Sequence, residues 1–407
     1  MIKTDYDLLI VGGGMVGASL AGALGNKPLR IGIIEAVPFR SDRQPSYDDR
    51  SIALSYGSRR IFQGIGAWQA IAASATPIKK IHISDQGHFG ATHLDNVEEG
   101  VEALGYVVTS RQIGQVLTDH INTFENIELI CPAQLVDINI QPEQAQVVIQ
   151  QNGASAAISA RLVVAADGID SIARKKLQIK TTQWDYGQTA VIANVTPQYS
   201  HQNTAYERFT KNGPLALLPL GENRCAVVWT RSNEDVEATM ALDDESFLVQ
   251  LQEQFGYRLG KFHKTGLRQA YPLRMVRAQE QVLPRLALIG NAAHALHPIA
   301  GQGFNLGLRD VAVLAETLNE TLQQNQDIGD FSVLSHYAQW RKRDHLRVIS
   351  FTDSLVRLFS NTYFPLTVGR NLGLLAADIF PAVKHGIARQ AMGMAGRLPK
   401  LARGLPL

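Results

Sequence analysis

The feature that most constrains the fold is a glycine-rich turn between two apolar segments near the start of the chain. Gly12, Gly14 and Gly17 have the spacing G-x-G-x-x-G and follow an apolar run at residues 7–11. A run of small and apolar residues comes next, and then a second apolar segment at residues 30–34. This order predicts a strand, a tight turn, a helix and a second strand, which is the βαβ unit that binds dinucleotides.

Each part of this unit has a physical role in binding a dinucleotide. Gly12 permits the sharp turn, Gly14 lets a pyrophosphate approach the backbone, and Gly17 lets the helix pack closely on the strand. The helix N-terminus presents unpaired N–H groups to the phosphates. Glu35 ends the second segment, where it can accept hydrogen bonds from ribose hydroxyls and would repel a 2′-phosphate. The motif alone leaves FAD and NAD open, and a glycine-rich turn without a ligand is the alternative.

The composition is typical of a soluble globular protein with more than one domain. The chain has 407 residues, of which 45% are hydrophobic and 19% charged, and its formal net charge is +2. No apolar run reaches the roughly 18 residues that a transmembrane helix needs, and the first strand begins too early to leave room for a signal peptide. Cys131 and Cys225 are too few for a disulfide framework. We therefore expect a cytoplasmic protein with no nucleic-acid partner.

Three polar side chains outside the first motif are candidates for binding the same ligand. Asp167 and Gly168 follow an apolar run, which places a carboxylate at the edge of the sheet where ligands bind in open α/β folds; a plain Asp-Gly turn is the alternative. Arg50 either lies over a phosphate or pairs with a neighbouring aspartate. Arg111 is expected in the first turn of a helix that Ser110 caps, where the helix dipole disfavours a cation. A bound phosphate would explain that position, and so would ordinary exposure.

A second glycine-rich loop follows a buried segment later in the chain. Gly290 and Asn291 begin the loop, and Gly301 and Gly303 stand at the entry to a helix predicted over residues 304–323. The N–H groups of that helix would face an anionic or electron-rich ring.

Two histidines in the same loop raise the question of a metal. His294 and His297 are close in sequence, but no third ligand is nearby. Since structural and catalytic zinc sites need three or four protein ligands, we expect no metal.

The remaining segments predict two further structural regions. Four short strands separated by turns occupy residues 189–231, which predicts an antiparallel sheet, and the chain from residue 331 onward reads as helical. The predicted FAD-type or NAD-type binding domain is discontinuous and covers residues 1–75, 105–180 and 275–330; the sheet domain covers 76–104 and 181–274, and the helical C-terminal region covers 331–407.

The motifs in combination resemble those of the class A flavin-dependent aromatic hydroxylases, whose fold is that of para-hydroxybenzoate hydroxylase. The matching motifs are the first glycine unit with Glu35, the Asp167-Gly168 pair and the Gly290 loop. Within this group the chain resembles the ubiquinone-biosynthesis hydroxylases, on residues 49–54, 207–209, 213–216 and 296–307. One position departs from the wider family, which has Asp after the loop glycine where this chain has Asn291.

The resemblance implies an α/β fold with a Rossmann-like FAD-binding domain, an antiparallel-sheet substrate domain and a helical C-terminal region. It implies an FAD-dependent monooxygenase that uses NAD(P)H and O2 to hydroxylate the ring of a polyprenyl phenol of the 2-polyprenyl-6-methoxyphenol type. The residues implied beside the reacting ring are Pro298, Gly301, Gln302 and Gly303. The implied cofactor-binding residues are Gly12, Gly14, Gly17, Glu35, Arg50, Arg111, Asp167, Gly168, Gly290, Asn291, Gly303 and Asn305.

Two other functions remain open at this point. One is a flavin reductase or dehydrogenase of polyprenyl lipids, and the other is a non-enzymatic prenyl-lipid carrier on the same fold. Residues 364–407 combine apolar side chains and bases with a single acid, Asp378. This composition suits peripheral contact with the inner face of a membrane; packing on the flavin domain and docking into a ubiquinone-biosynthesis complex are the alternatives.

Overall fold

A computed structural model describes residues 3–38, 50–297, 301–359 and 363–407. The helices are α1 (Met15–Leu24), α2 (Tyr56–Ile65), α3 (Trp68–Ala72), α4 (Ser110–Ile121), α5 (Ile172–Lys176), α6 (Val236–Ala241), α7 (Asp244–Phe255), α8 (Gln302–Gln323), α9 (Phe331–Phe359), α10 (Phe364–Ile379) and α11 (Pro381–Ala391). The strands are β1 (Tyr6–Val11), β2 (Ile31–Ile34), β3 (Ser51–Ser55), β4 (Thr76–Ile78), β5 (Lys80–Asp85), β6 (Ala91–Asp95), β7 (Gly105–Thr109), β8 (Ile127–Ile130), β9 (Gln134–Ile140), β10 (Ala145–Gln151), β11 (Ala154–Ala165), β12 (Thr181–Pro197), β13 (Thr204–Thr210), β14 (Gly213–Leu220), β15 (Arg224–Ser232), β16 (Phe262–Thr265), β17 (Gln269–Ala278), β18 (Val282–Leu283), β19 (Leu286–Leu288) and β20 (His294–Ala295).

The first sheet is built around the opening βαβ unit. β1 pairs in parallel with β2 on one side and β11 on the other, and β8 and β19 extend the sheet in parallel. Successive side chains of β1 point to opposite faces. Leu8 and Ile10 therefore pack in one core with α1, α4 and α8, while Leu9 and Val11 pack in another with β9 and β10. A strand that is buried on both faces explains the continuous apolar run of the sequence.

The second sheet is mainly antiparallel and contains the four predicted strands. Its order is β20-β17-β12-β15-β14-β13-β5-β6, with β16 paired to β12. β5 and β6 join it from an earlier part of the chain, and β5 runs parallel to β13. β4, which falls within the segment predicted for this domain, pairs instead with β7 in a three-stranded sheet with β3. β20 lies in the Gly290 loop and pairs with β17, so this loop connects the two sheets.

The helical C-terminal region packs against the second sheet. The Asp85 carboxylate at the end of β5 accepts a bond from Arg370 Nε on α10 at 2.8 Å. The Thr92 hydroxyl donates to the Leu374 carbonyl at 2.7 Å, and the Gly90 N–H donates to Asn371 Oδ1 at 2.9 Å. These bonds fix α10 across the ends of β5 and β6.

One predicted helix start is wrong by a residue. α4 begins at Ser110, and Thr109 is its N-cap, because the Thr109 hydroxyl accepts from the N–H of Gln112. Ser110 instead donates its hydroxyl to the Arg50 carbonyl at 3.2 Å. Serine and threonine both cap helices well, so adjacent candidates are hard to distinguish from sequence.

Among the described helices, none is by itself long and apolar enough to cross a bilayer. The segments Pro365–Ile379 and Pro381–Ala391 reach the required length and composition only together, and the chain bends by 96° between them.

Candidate active site

A cavity of about 700 Å³ lies between the two sheets. One end is lined by the loops that follow β1, β11 and β19 and by the start of α8: Gly14, Met15, Gly168, Asn291, Gly301 and Gly303. The other end is lined by apolar side chains of the second sheet and the C-terminal helices: Ile83, Phe209, Leu218, Phe351, Leu374 and Ile387. Its size suits a ligand-binding pocket, and it joins a polar, glycine-rich end to an apolar end.

The first glycine turn has no room for side chains at two of its three glycines. Gly12 has φ +100°, and a Cβ there would lie 2.6 Å from the Ala166 carbonyl oxygen. A Cβ on Gly17 would lie 2.0 Å from the Gly12 carbonyl oxygen. Gly14 is the N-cap of α1, with no side chain bonded to the first N–H groups of the helix. Since Gly14 and Met15 line the cavity, the helix dipole and these N–H groups are available to a phosphate.

Glu35 stabilises this turn through its carboxylate. Oε2 accepts from the Gly13 N–H at 2.8 Å, and Oε1 accepts from the Val37 N–H at 2.9 Å. A carboxylate oxygen can accept more than one bond, so these contacts leave capacity for ribose hydroxyls. Glu35 therefore positions the backbone of the phosphate-binding turn, a role that the sequence did not predict, besides the predicted contact to the ribose.

Replacing Glu35 by alanine is expected to weaken FAD binding about tenfold to a hundredfold. Bonds to a charged acceptor contribute about 1.5–3 kcal/mol, and each 1.4 kcal/mol is a factor of about ten. The measurement is a titration of apoprotein with FAD followed by flavin fluorescence. Glu128→Ala is the matched control, because that carboxylate bonds to the Tyr6 hydroxyl on β1 at 2.7 Å, whereas Glu35 bonds to the N–H of Gly13 in the glycine turn. An unchanged FAD affinity in Glu35→Ala would contradict its assignment.

Asp167 has one oxygen bound by the protein and one without a partner. Oδ2 accepts from the N–H groups of Ile172 and Ala173 at the start of α5. Oδ1 is buried and has no hydrogen-bond partner among the described residues. Burial raises the pKa of this carboxyl. A buried acceptor without a donor is costly. Asp167 itself does not line the cavity, but the adjacent Gly168 does, so a ligand hydroxyl that reaches into this turn would satisfy the oxygen.

Arg174 joins the Asp167 turn to the Gly290 loop. Its guanidinium donates to the carbonyls of Ala292 at 2.8 Å and Ile169 at 2.6 Å. Asn291, the residue that departs from the family pattern, is exposed and lines the cavity. Both turns therefore face the same ligand-sized space.

Replacing Asn291 by aspartate is expected to leave FAD binding intact or to strengthen it. Both side chains accept bonds from ribityl-type hydroxyls, and a charged acceptor makes the stronger bond. The measurement is the FAD affinity of the purified Asn291→Asp variant, compared with the affinities of the wild type and of Asn291→Ala. Complete loss of flavin in the aspartate variant would show that Asn291 acts through its amide N–H groups.

The start of α8 is held open by glycine and fixed by Asn305. Gly301, the N-cap, has φ +61°, and a Cβ on Gly303 would meet no atom within 4 Å. Asn305 Oδ1 accepts from the Ser55 N–H at 2.9 Å and the Ser58 hydroxyl at 2.6 Å. Its Nδ2 donates to the carbonyls of Ala53 and Gly301.

Both polar atoms of the Asn305 side chain are thus hydrogen-bonded within the protein, where they position the loop. The predicted contact between Asn305 and the cofactor therefore does not use a free side-chain amide. Gln302 is buried and lines the cavity. Pro298, predicted beside the reacting ring, lies outside the described residues.

The two arginines predicted near the phosphates occupy different surroundings. Arg50 lines the cavity, with its guanidinium 4.7 Å from the centre of the Tyr271 ring. Arg111 is exposed on the first turn of α4 and does not line the cavity. The structure therefore places Arg50 in the cavity lining and Arg111 outside it.

The two loop histidines lie apart and have different partners. His297 Nε2 is 3.3 Å from Gln188 Oε1, and burial lowers the pKa of this histidine to about 4. His294 Nε2 is 2.6 Å from Asp310 Oδ2 in α8, and His345 Nε2 from α9 is 2.7 Å from Asp310 Oδ1. His294, Asp310 and His345 have the ligand types and spacing of a metal site, which corrects the sequence argument that no third ligand is present.

The Asp310 carboxylate is nevertheless occupied by hydrogen bonds from four protein groups. It accepts from Arg341 Nε at 2.7 Å and from the Gly290 N–H at 3.0 Å, besides the two histidines. Burial alone would raise the pKa of Asp310, but His294, His345 and Arg341 together lower it well below the usual range. With a guanidinium already on the carboxylate, a divalent cation would be repelled. The network instead fixes the Gly290 loop against α8 and α9.

Glu207 is a carboxylic acid in the apolar end of the cavity, and the sequence analysis did not assign it to the site. It lies on β13 between Ala216 of β14 and Ile83 of β5, all three lining the cavity. Burial raises the pKa of its carboxyl to about 7, and no neighbouring charge contributes. Ala205 and Phe209, two residues away on the same face of β13, are apolar. The sequence signal for this site was an acidic residue at a position of β13 where the strand alternation calls for an apolar one.

Comparison with known proteins assigns this site to a family. The FAD binding domain family matches residues 5–352, which is most of the chain. The chain belongs to this family. It is 36% identical over 404 residues to the ubiquinone hydroxylase UbiL of Rhodospirillum rubrum, covering 98% of this chain and 93% of that protein. It is 31% identical over 401 residues to 3-demethoxyubiquinol 3-hydroxylase of Escherichia coli, covering 97% and 100%.

A solved structure shares the fold at low sequence identity. The p-nitrophenol 4-monooxygenase PnpA of Pseudomonas putida superposes with a TM-score of 0.80 at 19% identity, covering 97% of this chain and all of that one. The α/β fold with a helical C-terminal region is thereby confirmed. As a member of the FAD-binding family, the protein is an FAD-dependent aromatic hydroxylase, and its glycine turns and the buried Asp167 oxygen fit that cofactor.

Proposed function

We propose that this enzyme hydroxylates the aromatic ring of a polyprenyl phenol in ubiquinone biosynthesis, with FAD as cofactor, NAD(P)H as electron donor and O2 as oxidant. The names of the two relatives support the pathway. The observation that carries the substrate class is the cavity, whose proposed flavin end continues into an apolar chamber. Of the described residues that line this chamber, Glu207 alone has a carboxyl group.

The residues present fit FAD at the polar end of the cavity. The N–H groups of α1 would hold its pyrophosphate, Glu35 a ribose, and Asp167 and Asn291 its hydroxyls. Bound there, FAD supplies the electron transfer and oxygen activation that amino-acid side chains lack. The start of α8 at Gly301 and Gly303 would flank the ring system, and its N–H dipoles stabilise negative charge there.

The second sheet and the C-terminal helices position the organic substrate and exclude water. Aliphatic and aromatic side chains from β5, β13 and β14 and from α9 to α11 form the chamber walls. Phe209 of β13 stacks on Phe359 of α9 with ring centres 3.6 Å apart, which closes one side. Burying a polyprenyl chain against these walls would contribute about 0.8 kcal/mol per CH2 group, so chain length should strongly affect KM.

Glu207 is placed to act on the phenol hydroxyl. A carboxylate that has no competing partner can accept a hydrogen bond from the phenol and take its proton as the new ring C–O bond forms. When the hydroxylated ring carbon releases its own proton to water and the ring regains its aromaticity, the same carboxyl returns its proton to the phenol oxygen, so no net proton is gained or lost at Glu207. NAD(P)H supplies the two electrons with which the second oxygen atom of O2 is reduced to water. Proton transfer of this kind accelerates reactions by about 10²–10⁴-fold.

One assay distinguishes this proposal from the two alternatives. Purified protein is tested for bound flavin and for NAD(P)H oxidation with and without a short-chain 2-prenylphenol. A hydroxylase binds FAD and oxidises NAD(P)H faster with the phenol. A reductase oxidises NAD(P)H independently of it, and a carrier binds the phenol without flavin turnover.

We also propose that the enzyme acts at the cytoplasmic face of the membrane, within reach of a ubiquinone-biosynthesis complex. The lipid character of the proposed substrate supports this placement.

A further inference from the structure

The outer face of α10 and α11 is apolar over two successive helices. We define this outer face by six exposed side chains: Leu366, Val368, Leu372, Ile379, Phe380 and Val383. Ile379 is 68% exposed and Phe380 59%. Among the residues described between 363 and 383, those classed as exposed include no charged side chain. A surface helix of a globular protein ordinarily has charged residues on this side, so the outer face has the character of a contact surface.

Three charged residues of these helices are directed toward the protein, whereas Arg389 in the last turn of α11 is exposed and lies beyond the outer face. Arg370 pairs with Asp85 of β5, and Lys384 pairs with Glu98 at 2.8 Å. Asp378 accepts from the His93 N–H of β6 at 2.8 Å. The ion pairs therefore fasten the inner faces to the second sheet, and the apolar outer face is not a consequence of loose packing.

We propose that the outer face of α10 and α11 inserts into the surface of a lipid bilayer. This rests on the proposed function, because a polyprenyl phenol resides in such a bilayer. The helices bend by 96° at their junction and so cannot cross as one straight span. An amphipathic segment of this kind lies in the membrane interface with its apolar side about 5–10 Å deep.

The composition of the outer face favours lipid over a protein partner. Its side chains are mostly aliphatic, and the exposed positions between them are glycine, proline and alanine: Pro365, Gly369, Gly373, Pro381 and Ala382. Protein interfaces are instead enriched in tyrosine, tryptophan, phenylalanine, methionine and arginine, and of these types the six side chains of the outer face include one, Phe380. A second copy of the chain or a protein partner is thus the less suited occupant.

The same helices connect the outer face to the substrate chamber. Leu374 of α10 and Ile387 and Ala391 of α11 line the cavity on the inner side. A lipid substrate that enters beside this helix pair would pass from bilayer to chamber along apolar surface. The membrane contact would therefore deliver the substrate as well as hold the enzyme.

Charge contributes less to this contact than the sequence suggested. Residues 363–407 contain six Lys or Arg and one Asp, but Arg370 and Lys384 are paired and Arg397 lies 3.8 Å from the centre of the Trp340 ring. Binding should therefore persist on uncharged phosphatidylcholine vesicles and change less than about threefold with added salt, since apolar burial is not screened as surface charge is.

The test is vesicle flotation of the full-length, FAD-loaded protein. The double variant Leu372→Glu with Ile379→Glu is expected to lower partitioning onto phosphatidylcholine vesicles at least tenfold. The matched control is Leu267→Glu with Val249→Glu, because these apolar residues are 93% and 54% exposed elsewhere. The control should bind like the wild type. Equal binding by the outer-face variant, or no binding by the wild type, would overturn the proposal.

A second measurement does not depend on a disruptive substitution. Tryptophan emission added by Phe380→Trp should be quenched by lipids brominated in their acyl chains, whereas that added by Tyr257→Trp, at a site 69% exposed, should not. Equal quenching of the two would overturn the proposal. Concentration-dependent self-association that the double glutamate variant abolishes, without vesicle binding, would assign the face to a second copy instead.

Vesicle binding requires no substrate, and turnover of a short-chain phenol requires no vesicles. The vesicle assay therefore tests the membrane contact alone, and the turnover assay tests the proposed function alone.

Discussion

Replacing Glu207 by glutamine is expected to slow hydroxylation about a hundredfold while FAD remains bound. Glutamine keeps the shape and can hold the phenol, but it cannot take the proton, and general-base catalysis contributes about 10²–10⁴-fold. Turnover of a short-chain 2-prenylphenol is measured together with flavin content and phenol affinity. Glu207→Asp is the matched control, because it restores a carboxyl group and should recover part of the rate.

The pH dependence separates a chemical role of Glu207 from a structural one. Burial raises its pKa to about 7, so the carboxyl loses its ability to accept a proton as the pH falls through about 7. The wild-type kcat/KM should therefore rise with pH across that value, and the glutamine variant should lack this step. The neighbouring wall residues Ile83, Ala216 and Leu374 do not titrate, and the nearby Asp85 is paired with Arg370. An unchanged pH profile at full activity would contradict the assignment.

The contribution of Glu207 to folding stability should fall as the pH rises, which is opposite to the expected rise in kcat/KM. Between pH 4.5, the usual pKa of a glutamate, and about 7, the unfolded chain ionises Glu207 while the folded protein keeps it protonated. The contribution of this group to the free energy of unfolding is therefore largest below pH 4.5, and it declines as the pH rises to about 7. Glu207→Gln should accordingly raise the melting temperature at pH 8 relative to the wild type, and not at pH 4.

Replacing Asp310 by asparagine is expected to cost about 3–5 kcal/mol of folding stability, because it removes the carboxylate of a buried ion pair. Arg341 and His345 bond to Oδ1 of Asp310, and His294 and the Gly290 N–H bond to Oδ2. Asparagine replaces one of these oxygens with an NH2 group and removes the negative charge from both sides of the network. FAD affinity should fall with stability, since Asn291 of the Gly290 loop lines the cavity proposed to hold the cofactor. Thermal unfolding and flavin titration measure the two effects.

The matched control for Asp310 is an aspartate in an exposed ion pair. Asp244 lies 3.1 Å from Arg268 and is 69% exposed, and pairs of this kind contribute about 0–1 kcal/mol. If Asp310→Asn and Asp244→Asn have the same melting temperature, the network does not fix the loop. If added zinc raises the melting temperature of the wild type more than that of Asp310→Asn, the cluster binds a metal instead.

Local features of the fold could be predicted from the sequence because neighbouring residues determine them. The strand, turn and helix around Gly12 follow from a buried run and a glycine spacing. The Asn-Gly pair at residues 152–153, a sequence typical of a tight hairpin, joins β10 to β11 with both residues at positive φ.

Long-range contacts could not be predicted in the same way. β5 pairs with β13 across more than a hundred residues, and His294, Asp310 and His345 meet from three separate elements. A signal for Asp310 was nevertheless present, since an acid stands within the otherwise apolar run of α8. The second role of Glu35 had no such signal, because the donors to its carboxylate are the backbone N–H groups of Gly13 and Val37, which only the folded turn brings near.

Transfer of an oxygen atom from O2 to the phenol ring is the most direct test of the proposed reaction. Purified enzyme is incubated with NAD(P)H, a short-chain 2-prenylphenol and ¹⁸O-labelled O2, and the product is analysed by mass spectrometry. The structure and family predict a hydroxylated ring that contains one labelled oxygen atom, formed only when the phenol and NAD(P)H are both present. NAD(P)H oxidation that yields hydrogen peroxide and unaltered phenol would contradict this account.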